Sequence, residues 1–157
     1  MRTVLFVCTA NIARSPMAEA LFNLIIKQMG MDGRYQAQSA GTWARDGLPA
    51  PPDGQKVMSN MGLDTSTHLS RLVTENILDE ARLILTMETG HKEALQVEFP
   101  SYSHKIFMLS EMVDSTADID DPYLMGFERF QETAVELEEI LESGKNVIFK
   151  LLETGDR

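Results

Sequence analysis

The strongest constraint on the fold of this chain of 157 residues is a regular alternation of two kinds of segment. Short β-branched or apolar runs, typical of strands, are followed by segments whose apolar residues recur at helical spacing. The four predicted strands lie at 3–7, 34–39, 82–86 and 105–109. Such alternation favours parallel strands joined by right-handed crossovers. We therefore predict a single α/β domain over residues 1–157, a doubly wound sheet of four parallel strands with helices on both faces.

The charge balance limits what the protein binds. The chain has 14 Lys and Arg residues against 24 Asp and Glu residues, which gives a formal net charge of −10. This balance argues against nucleic acid as a partner, because a phosphate backbone requires a basic footprint. An anionic substrate must therefore be held by a local concentration of donors that outweighs the field of the whole protein.

The apolar runs and the single cysteine indicate a compartment. No apolar run is long enough to span a bilayer, so no membrane partner is expected. The first residues also lack the apolar stretch of a secretory signal. One cysteine, Cys8, cannot form an internal disulfide, which agrees with a reducing compartment. We expect a cytoplasmic protein that is a monomer or a weak dimer.

The segment after the first predicted strand, CTANIARS, offers many donors to an oxyanion. Ligands of such sheets bind at the carboxyl ends of the strands, where this segment lies. Its successive backbone N–H groups can curl into an anion-binding nest, and the following helix adds unpaired N–H groups. Arg14 adds a planar fork for two phosphate oxygens. The predicted phosphate-binding loop comprises Thr9, Ala10, Asn11, Ile12, Ala13, Arg14 and Ser15.

Cys8 is expected to lie beneath these donors as a nucleophile. The donors that bind phosphate also stabilise a thiolate, which is the nucleophilic form of cysteine. The opposing interpretation is a small buried hydrophobe, and a bare Cys-x5-Arg pair is weak evidence because it often occurs by chance. The context favours catalysis, since a strand precedes Cys8 and a helix follows, with Ser15 as its expected N-cap and Pro16 as its first residue. One cysteine and three scattered histidines predict no zinc site, and no cofactor is expected.

Residues 4–19, VLFVCTANIARSPMAE, resemble the phosphate-binding loop of the low-molecular-weight protein-tyrosine phosphatases. The resemblance continues in the family's order at 39–42, 68–71, 85–87 and 121–123, and so covers nearly the whole chain. It implies a single phosphatase-like domain that hydrolyses aryl phosphate monoesters through a phosphocysteine intermediate. The implied partner is a phosphotyrosine-containing protein or a small aryl phosphate.

The resemblance implies that Asp121 completes the catalytic set with Cys8 and Arg14. The carboxyl group of Asp121 would protonate the leaving oxygen and then, once ionised, activate water against the phosphocysteine. Pro122 restricts the residue before it to extended conformations, which helps to aim that carboxyl group. Without the Cys8 loop, residues 114–123 would be interpreted as a solvated acidic loop.

Three residues are expected to support the loop. Asn11 lies in the middle of the loop, where a left-handed backbone is expected, and asparagine tolerates that conformation better than most residues. By resemblance, Asn11 is tied to Ser39 and His68 in a network that holds the loop in shape before substrate arrives. The equally weighted alternative for His68 is a histidine with purely structural contacts.

Trp43 and Tyr123 are interpreted as walls of the substrate cleft, on the basis of loop position and resemblance. An aromatic slot fits the flat ring of phosphotyrosine and leaves phosphoserine too short to reach Cys8. Ile12 adds an apolar side chain. That side chain favours a phenol over phosphoarginine, whose guanidinium requires a polar neighbour.

Three positions depart from the family pattern. Ala10 stands where glycine is usual, so its backbone must tolerate a Cβ. Ala13 stands where a second cysteine is frequent, so an oxidised Cys8 lacks protection by a disulfide within the loop. Leu124 stands where a second tyrosine is common.

Two other functions stay open from the sequence. Arsenate reduction uses the same fold but relays oxidation through further cysteines, so with Cys8 alone it requires a partner thiol. A non-catalytic phosphopeptide-binding module is the other, although a binding module needs neither a nucleophile nor a general acid.

Overall fold

The computed structural model describes residues 1–155 of the chain. Within them, the strands are β1 (Arg2–Cys8), β2 (Tyr35–Gly41), β3 (Ala81–Thr86) and β4 (Ile106–Met108). They form one sheet in the order β2-β1-β3-β4, and each pair of neighbours is parallel. The predicted sheet of four parallel strands is thus confirmed.

Five α-helices of the described chain connect and cover these strands. They are α1 (Arg14–Gln28), α2 (Pro52–Asn60), α3 (Glu75–Glu80), α4 (Thr89–Glu98) and α5 (Phe127–Thr154). Helices α1, α2 and α5 pack on one face of the sheet, whereas α3 and α4 pack on the other. This arrangement agrees with the predicted doubly wound architecture. Within residues 1–155, no helix has both the length and the apolar character needed to cross a membrane.

The central strand β1 owes its uninterrupted apolar sequence to burial on both faces. Val4, Phe6 and Cys8 belong to the core beneath α1 and α5, whereas Leu5 and Val7 belong to the core beneath α3 and α4. Such two-sided burial is the usual environment of a strand in a parallel sheet. The strand order reverses at β1, with β2 on one side and β3 on the other. A ligand crevice is therefore expected at the carboxyl end of β1.

Strand β4 is shorter than the predicted segment 105–109. Two 3-10 helices, Pro100–Lys105 and Leu109–Val113, flank it. The side chain of Glu111 accepts a hydrogen bond from the Met108 N–H at 2.6 Å, which turns the chain away from the sheet.

The start of α1 also differs from the prediction. The helix begins at Arg14, and Ala13 occupies the N-cap position without a side-chain cap. Ser15 is therefore not an N-cap. Its hydroxyl group is directed to Cys8 instead, so the local capping preference is overridden by the contacts of the loop.

Candidate active site

The loop between β1 and α1 contains one residue with a left-handed backbone. Asn11 has a φ of 57°, as expected from its place in the loop. Ala10 is not among the residues with positive φ, because the neighbouring asparagine makes the left-handed turn. A glycine at position 10 is therefore not required in this chain.

The end of β2 holds this loop in place. The backbone N–H groups of Thr42 and Trp43 donate to the carbonyl oxygens of Cys8 and Thr9, both at 2.9 Å. Gly41 leaves no room for a side chain, since a Cβ there would lie 2.4 Å from the Thr9 carbonyl oxygen. Only glycine permits this close approach between β2 and the loop.

The loop uses its carbonyl groups for support and leaves its backbone N–H groups unpaired. The Asn11 carbonyl oxygen accepts a hydrogen bond from His68 Nε2 at 2.7 Å, in addition to the two bonds from the end of β2. Among residues 1–155, the N–H groups from Thr9 to Arg14 donate to no protein acceptor. A row of unpaired N–H groups ahead of a helix N-terminus is an anion-binding arrangement.

Cys8 lies at the base of this loop and is 3% exposed. Its Sγ is 3.0 Å from Ser15 Oγ, and Asn11 Nδ2 donates to the same hydroxyl oxygen at 2.8 Å. Because Ser15 Oγ accepts from Asn11, its own proton is free to point at the sulfur. The Ser15 hydroxyl is therefore placed to donate to the sulfur of Cys8, whose thiolate form is the nucleophile.

Arg14 is charged and yet only 2% exposed. Its Nη1 donates to Glu88 Oε2 at 2.5 Å and to the Ile119 carbonyl oxygen at 2.7 Å. Its Nε has no partner among residues 1–155. A buried charged donor without an acceptor is costly. The unpaired Nε, together with the unpaired N–H groups of the loop, therefore indicates a place for the oxygens of a bound anion.

The acidic loop before α5 brings Asp121 to the same place. Its Oδ2 lies 3.7 Å from Arg14 Nη2, and its Oδ1 accepts the N–H of Tyr123 at 3.0 Å. The side chain is about half exposed. The structure thus brings the predicted general acid next to the predicted phosphate-binding arginine.

Two other carboxylates of this loop have different partners. Asp118 Oδ1 accepts the N–H of Thr89 at the start of α4 at 2.8 Å. Asp120 forms an exposed ion pair with Arg129 at 3.5 Å. Neither contact involves Arg14, which separates these two residues from Asp121.

Two residues of the site, Glu88 and His91, were missed by sequence reasoning. The Glu88 N–H donates to His91 Nδ1 at 3.1 Å, so His91 Nε2 carries the proton and donates to Thr9 Oγ1 at 2.8 Å. Burial lowers the pKa of His91, and the charge of Arg14 lowers it further, against the neighbouring carboxylates. His91 is therefore neutral and fixes the first residue of the loop. A Glu-x-x-His spacing directly after a predicted strand is the signal that could have identified this pair.

The predicted network of Asn11, Ser39 and His68 forms in a different way. His68 reaches Asn11 through the backbone carbonyl oxygen, but within the described residues the Asn11 side chain makes no hydrogen bond with Ser39. Asn11 Oδ1 instead accepts the N–H of Arg71 at 2.9 Å, and Arg71 Nε donates to the Ser39 carbonyl oxygen at 2.9 Å. Arg71, which the prediction omitted, therefore links the side chain of Asn11 to Ser39.

Glu19 of α1 is a further charged residue behind the loop. Burial raises its pKa, and the nearby Ser39, His68 and Arg71 oppose that increase. Glu19 is therefore a partly buried carboxyl group near Ser39, His68 and Arg71.

The predicted cleft walls are brought together only in part. Ile12 and Tyr123 line one groove beside the loop. Trp43 does not line that groove and is 85% exposed, although its backbone N–H is bound to the Thr9 carbonyl oxygen. Ile12 and Tyr123 thus share a groove, whereas Trp43 is a solvent-exposed residue outside it.

Sequence comparison identifies the family to which this arrangement belongs. The sequence model described as low molecular weight phosphotyrosine protein phosphatase matches residues 3–148. A probable low molecular weight protein-tyrosine-phosphatase EpsP of Ralstonia solanacearum is 38% identical over 131 residues, which are 82% of this chain and 85% of that protein. A protein-arginine-phosphatase of Bacillus subtilis is 35% identical over 139 residues, which are 88% of this chain and 91% of that protein.

Structural comparison gives the same result. The crystal structure of a low molecular weight protein tyrosine phosphatase from T. tengcongensis matches with a TM-score of 0.88 and 39% sequence identity, over 96% of this chain and 100% of that one. Sequence and structure agree over nearly the whole length of the chain. This protein therefore belongs to the low molecular weight phosphotyrosine protein phosphatase family.

Proposed function

We propose that Cys8, Arg14 and Asp121 carry the phosphatase reaction of this enzyme and that its substrates are phosphotyrosine side chains of proteins. Membership of the family makes the chain a cysteine-dependent phosphatase, and Cys8 is its one cysteine. The observation that carries the proposal is the arrangement at one place of a buried sulfur, unpaired loop N–H groups and an unpaired guanidinium Nε. With the adjacent carboxylate, it supplies nucleophile, oxyanion donors and general acid.

In the first half-reaction, the thiolate of Cys8 attacks the phosphorus atom. The N–H groups from Thr9 to Arg14 and the Arg14 guanidinium bind the three non-bridging oxygens and balance their charge. A sulfur–phosphorus bond forms, the bond between phosphorus and the phenolic oxygen breaks, and Asp121 donates a proton to that oxygen. The products are phosphocysteine and a neutral tyrosine.

In the second half-reaction, water hydrolyses the phosphocysteine. Asp121, now a carboxylate, removes a proton from water as the water oxygen attacks phosphorus. The sulfur–phosphorus bond breaks, inorganic phosphate leaves, and the thiolate of Cys8 is restored. The Ser15 hydroxyl, 3.0 Å from the sulfur, donates to the departing thiolate. Asp121 is about half exposed, which gives water access to it.

The choice between phosphotyrosine and phosphoarginine depends on the groups beside the leaving group. Relatives of this chain include enzymes named for each of the two substrates. Here the apolar side chain of Ile12 shares a groove with Tyr123 beside the loop. The side chain of Ile12 suits a phenyl ring, and it offers no acceptor to the N–H groups of a phosphorylated guanidinium. These contacts support phosphotyrosine as the substrate.

We also propose that the enzyme is a cytoplasmic monomer or weak dimer in which residues 1–157 fold as one domain. The catalytic thiolate requires a reducing compartment, because no second cysteine can protect it as a disulfide. Sedimentation equilibrium and thermal unfolding test this part. A stable higher oligomer or two separate unfolding transitions would exclude it.

The decisive experiment compares kcat/KM for two peptides of identical sequence, one with phosphotyrosine and one with phosphoarginine. We expect the phosphotyrosine peptide to be hydrolysed better by at least about tenfold. The Cys8→Ser variant should lose turnover of both peptides while it retains affinity for inorganic phosphate. Equal or faster hydrolysis of phosphoarginine refutes the substrate assignment, and unchanged turnover by Cys8→Ser refutes the assignment of the nucleophile.

A further inference from the structure

Exposed apolar side chains gather around the active site although the protein is strongly acidic. Among residues 1–155, most of the large apolar side chains that are exposed lie on the segments that hold the phosphate-binding loop or carry Asp121. These side chains are Trp43, Leu48, Leu69, Leu72, Tyr123, Leu124 and Met125. A cluster of this kind commonly marks a surface that binds another molecule.

A groove of about 500 Å³ lies beside the phosphate-binding loop within this area. Ile12 and Tyr123 belong both to this groove and to the proposed catalytic cleft. Its other walls are the proline-rich segment 48–52, Asp53, Leu124 and the buried Phe130. The groove is therefore continuous with the place where the phosphotyrosine ring is expected to lie.

Leu124 lines the groove in an unfavourable backbone conformation. Its φ is 64°, and the turn around it is closed by a hydrogen bond from the Met125 N–H to the Pro122 carbonyl oxygen. The side chain is 84% exposed, so it gains little from burial in the isolated protein. A strained residue that the packing does not need points to a role in binding.

Asp53 supplies negative charge to the groove. It lies partly buried in the first turn of α2, and no cation among residues 1–155 is within ion-pair distance of it. Lys56 of the same helix lies instead against the ring of Phe127, 4.9 Å from its centroid. An unpaired carboxylate beside an apolar wall is complementary to a side chain with an apolar stem and a positive end.

We propose that this groove binds an arginine or lysine side chain of the substrate, close in sequence to the phosphotyrosine. The alkyl stem packs against Ile12 and Leu124, and the cation pairs with Asp53. This inference rests on the proposed phosphotyrosine phosphatase activity, because one peptide must fill both the cleft and the groove. The net charge of −10 also attracts a basic segment. The substrate class is therefore phosphotyrosine in a basic sequence.

The test uses phosphotyrosine peptides that differ at one residue. This residue is arginine, norleucine, alanine or glutamate. Each of the four is placed before the phosphotyrosine in one set of peptides and after it in a second set. Norleucine has the apolar stem without the charge, so it separates packing from ion pairing. We expect kcat/KM to fall in the order arginine, norleucine, alanine, glutamate. Arginine should exceed norleucine by about threefold, the size of a partly exposed ion pair. A norleucine peptide equal to or better than the arginine peptide overturns the proposal.

Variants then assign each preference to a residue. Asp53→Asn should remove the advantage of arginine over norleucine, whereas Asp32→Asn, which removes the same charge in the turn before β2, should keep the wild-type order. Leu124→Ala should bring the norleucine peptide down to the alanine peptide. Met125→Ala, at the exposed neighbour outside the groove, should not. Unchanged preferences in Asp53→Asn and Leu124→Ala overturn the proposal.

Each kcat/KM is divided by the value for p-nitrophenyl phosphate with the same variant, which corrects for damage to the catalytic residues. Wild-type enzyme that fails to hydrolyse p-nitrophenyl phosphate refutes the phosphatase function itself. Normal hydrolysis without any preference among the peptides refutes only the groove. A second copy of this chain is the competing occupant. If the wild type dimerises in sedimentation, Leu124→Ala abolishes the dimer and no peptide is preferred, the occupant is a second copy and the proposal is wrong.

Discussion

The amino ends of the four strands form one edge of the sheet and the carboxyl ends form the opposite edge, which holds the proposed active site and is called the functional edge. The two edges differ in how the positive charges of their arginines are paired. At the amino ends of the strands, Arg2 and Arg34 pair with Glu153 at 2.8 and 2.5 Å, and Arg82 donates to carbonyl oxygens at the end of α5 at 3.3 Å. At the carboxyl ends, the buried Arg14 keeps its Nε unpaired. Arginines therefore do not by themselves mark the functional edge of this sheet, and Arg14 differs from the other three in being buried with an unpaired Nε.

The backbone shows the same difference between the edges. In the last turn of α5, the carbonyl oxygens of Leu152 and Glu153 accept hydrogen bonds from the side chain of Arg82. The N–H groups from Thr9 to Arg14 have no protein acceptor among the described residues, and Asn11 is held in a left-handed conformation. Unpaired and strained groups cost stability, so they are retained where a ligand makes use of them.

We expect the largest difference between the two edges when arginine is exchanged for lysine and kcat is measured. Arg14→Lys removes the planar fork and its Nε donor, so we expect kcat for p-nitrophenyl phosphate to fall by about 10³-fold. Arg82→Lys should leave kcat within about twofold, because it changes only contacts to α5. Steady-state kinetics of the two variants measures this contrast. A near-normal kcat in Arg14→Lys would contradict a catalytic role for the Arg14 guanidinium.

At the functional edge, we expect substitutions of two carboxylates of the acidic loop to have different effects on kcat. Asp121→Asn removes the general acid, so kcat for phenyl phosphate should fall by about 10²-fold. The loss should be smaller for p-nitrophenyl phosphate, whose leaving group needs less protonation. Asp120→Asn removes only an exposed ion pair with Arg129 and should change kcat by less than about twofold. Equal effects of the two variants on both substrates are incompatible with a special role for Asp121.

We expect a methyl group added at a glycine to destabilise the protein at the functional edge but not at the opposite edge, because only the first glycine is closely packed. Gly41→Ala brings a Cβ 2.4 Å from the Thr9 carbonyl oxygen, so the free energy of unfolding should fall by about 2 kcal/mol. Displacement of the loop should also lower kcat by about tenfold. Gly33→Ala, in the turn before β2, meets nothing within 4 Å and should change the free energy of unfolding by less than about 0.5 kcal/mol. Urea unfolding distinguishes the two, and a fully tolerated Gly41→Ala would contradict the close approach.

The smallest expected effect concerns the pH dependence of stability. Burial lowers the pKa of His91 in the folded protein below its ordinary value of 6.5. On acidification the unfolded chain therefore binds this proton first, and the free energy of unfolding falls from about pH 6.5 downwards. His91→Gln cannot take up the proton and should lose less stability than the wild type between about pH 7 and pH 5.

The control for this prediction is a histidine near the other edge. His104 lies in the 3-10 helix before β4, in a concavity with Met1 and Arg2. His104→Gln is the same substitution at a histidine outside the active site. Unfolding measured across the same pH range by circular dichroism would count against the role of His91 if its variant and the wild type gave the same slope.

Much of this site could be predicted from sequence because it depends on local spacing. Cys8 and Arg14 lie at the two ends of one short loop, so a strand followed by a helix brings them together whatever the rest of the chain does. The left-handed Asn11 follows from the same local geometry. Asp121 could be assigned only through the family resemblance, because no local pattern connects it with the loop.

The residues that sequence reasoning missed are selected by long-range register. Gly41 lies opposite Cys8 because β1 and β2 pair in that register, and His91 reaches Thr9 because α4 begins at the same edge. No periodicity of a single segment reports such pairs. Ser15 was misassigned as an N-cap for a related reason, since its hydroxyl is engaged by Cys8 and Asn11 instead.

The most direct test of the anion site is a crystal structure of the enzyme with orthovanadate. We predict vanadium bonded to Cys8 Sγ, with the vanadate oxygens accepting hydrogen bonds from the N–H groups of Thr9 to Arg14 and from Arg14 Nε. Vanadate bound instead beside Arg82 at the amino edge, with Arg14 Nε still unpaired, would contradict the assignment of the functional edge.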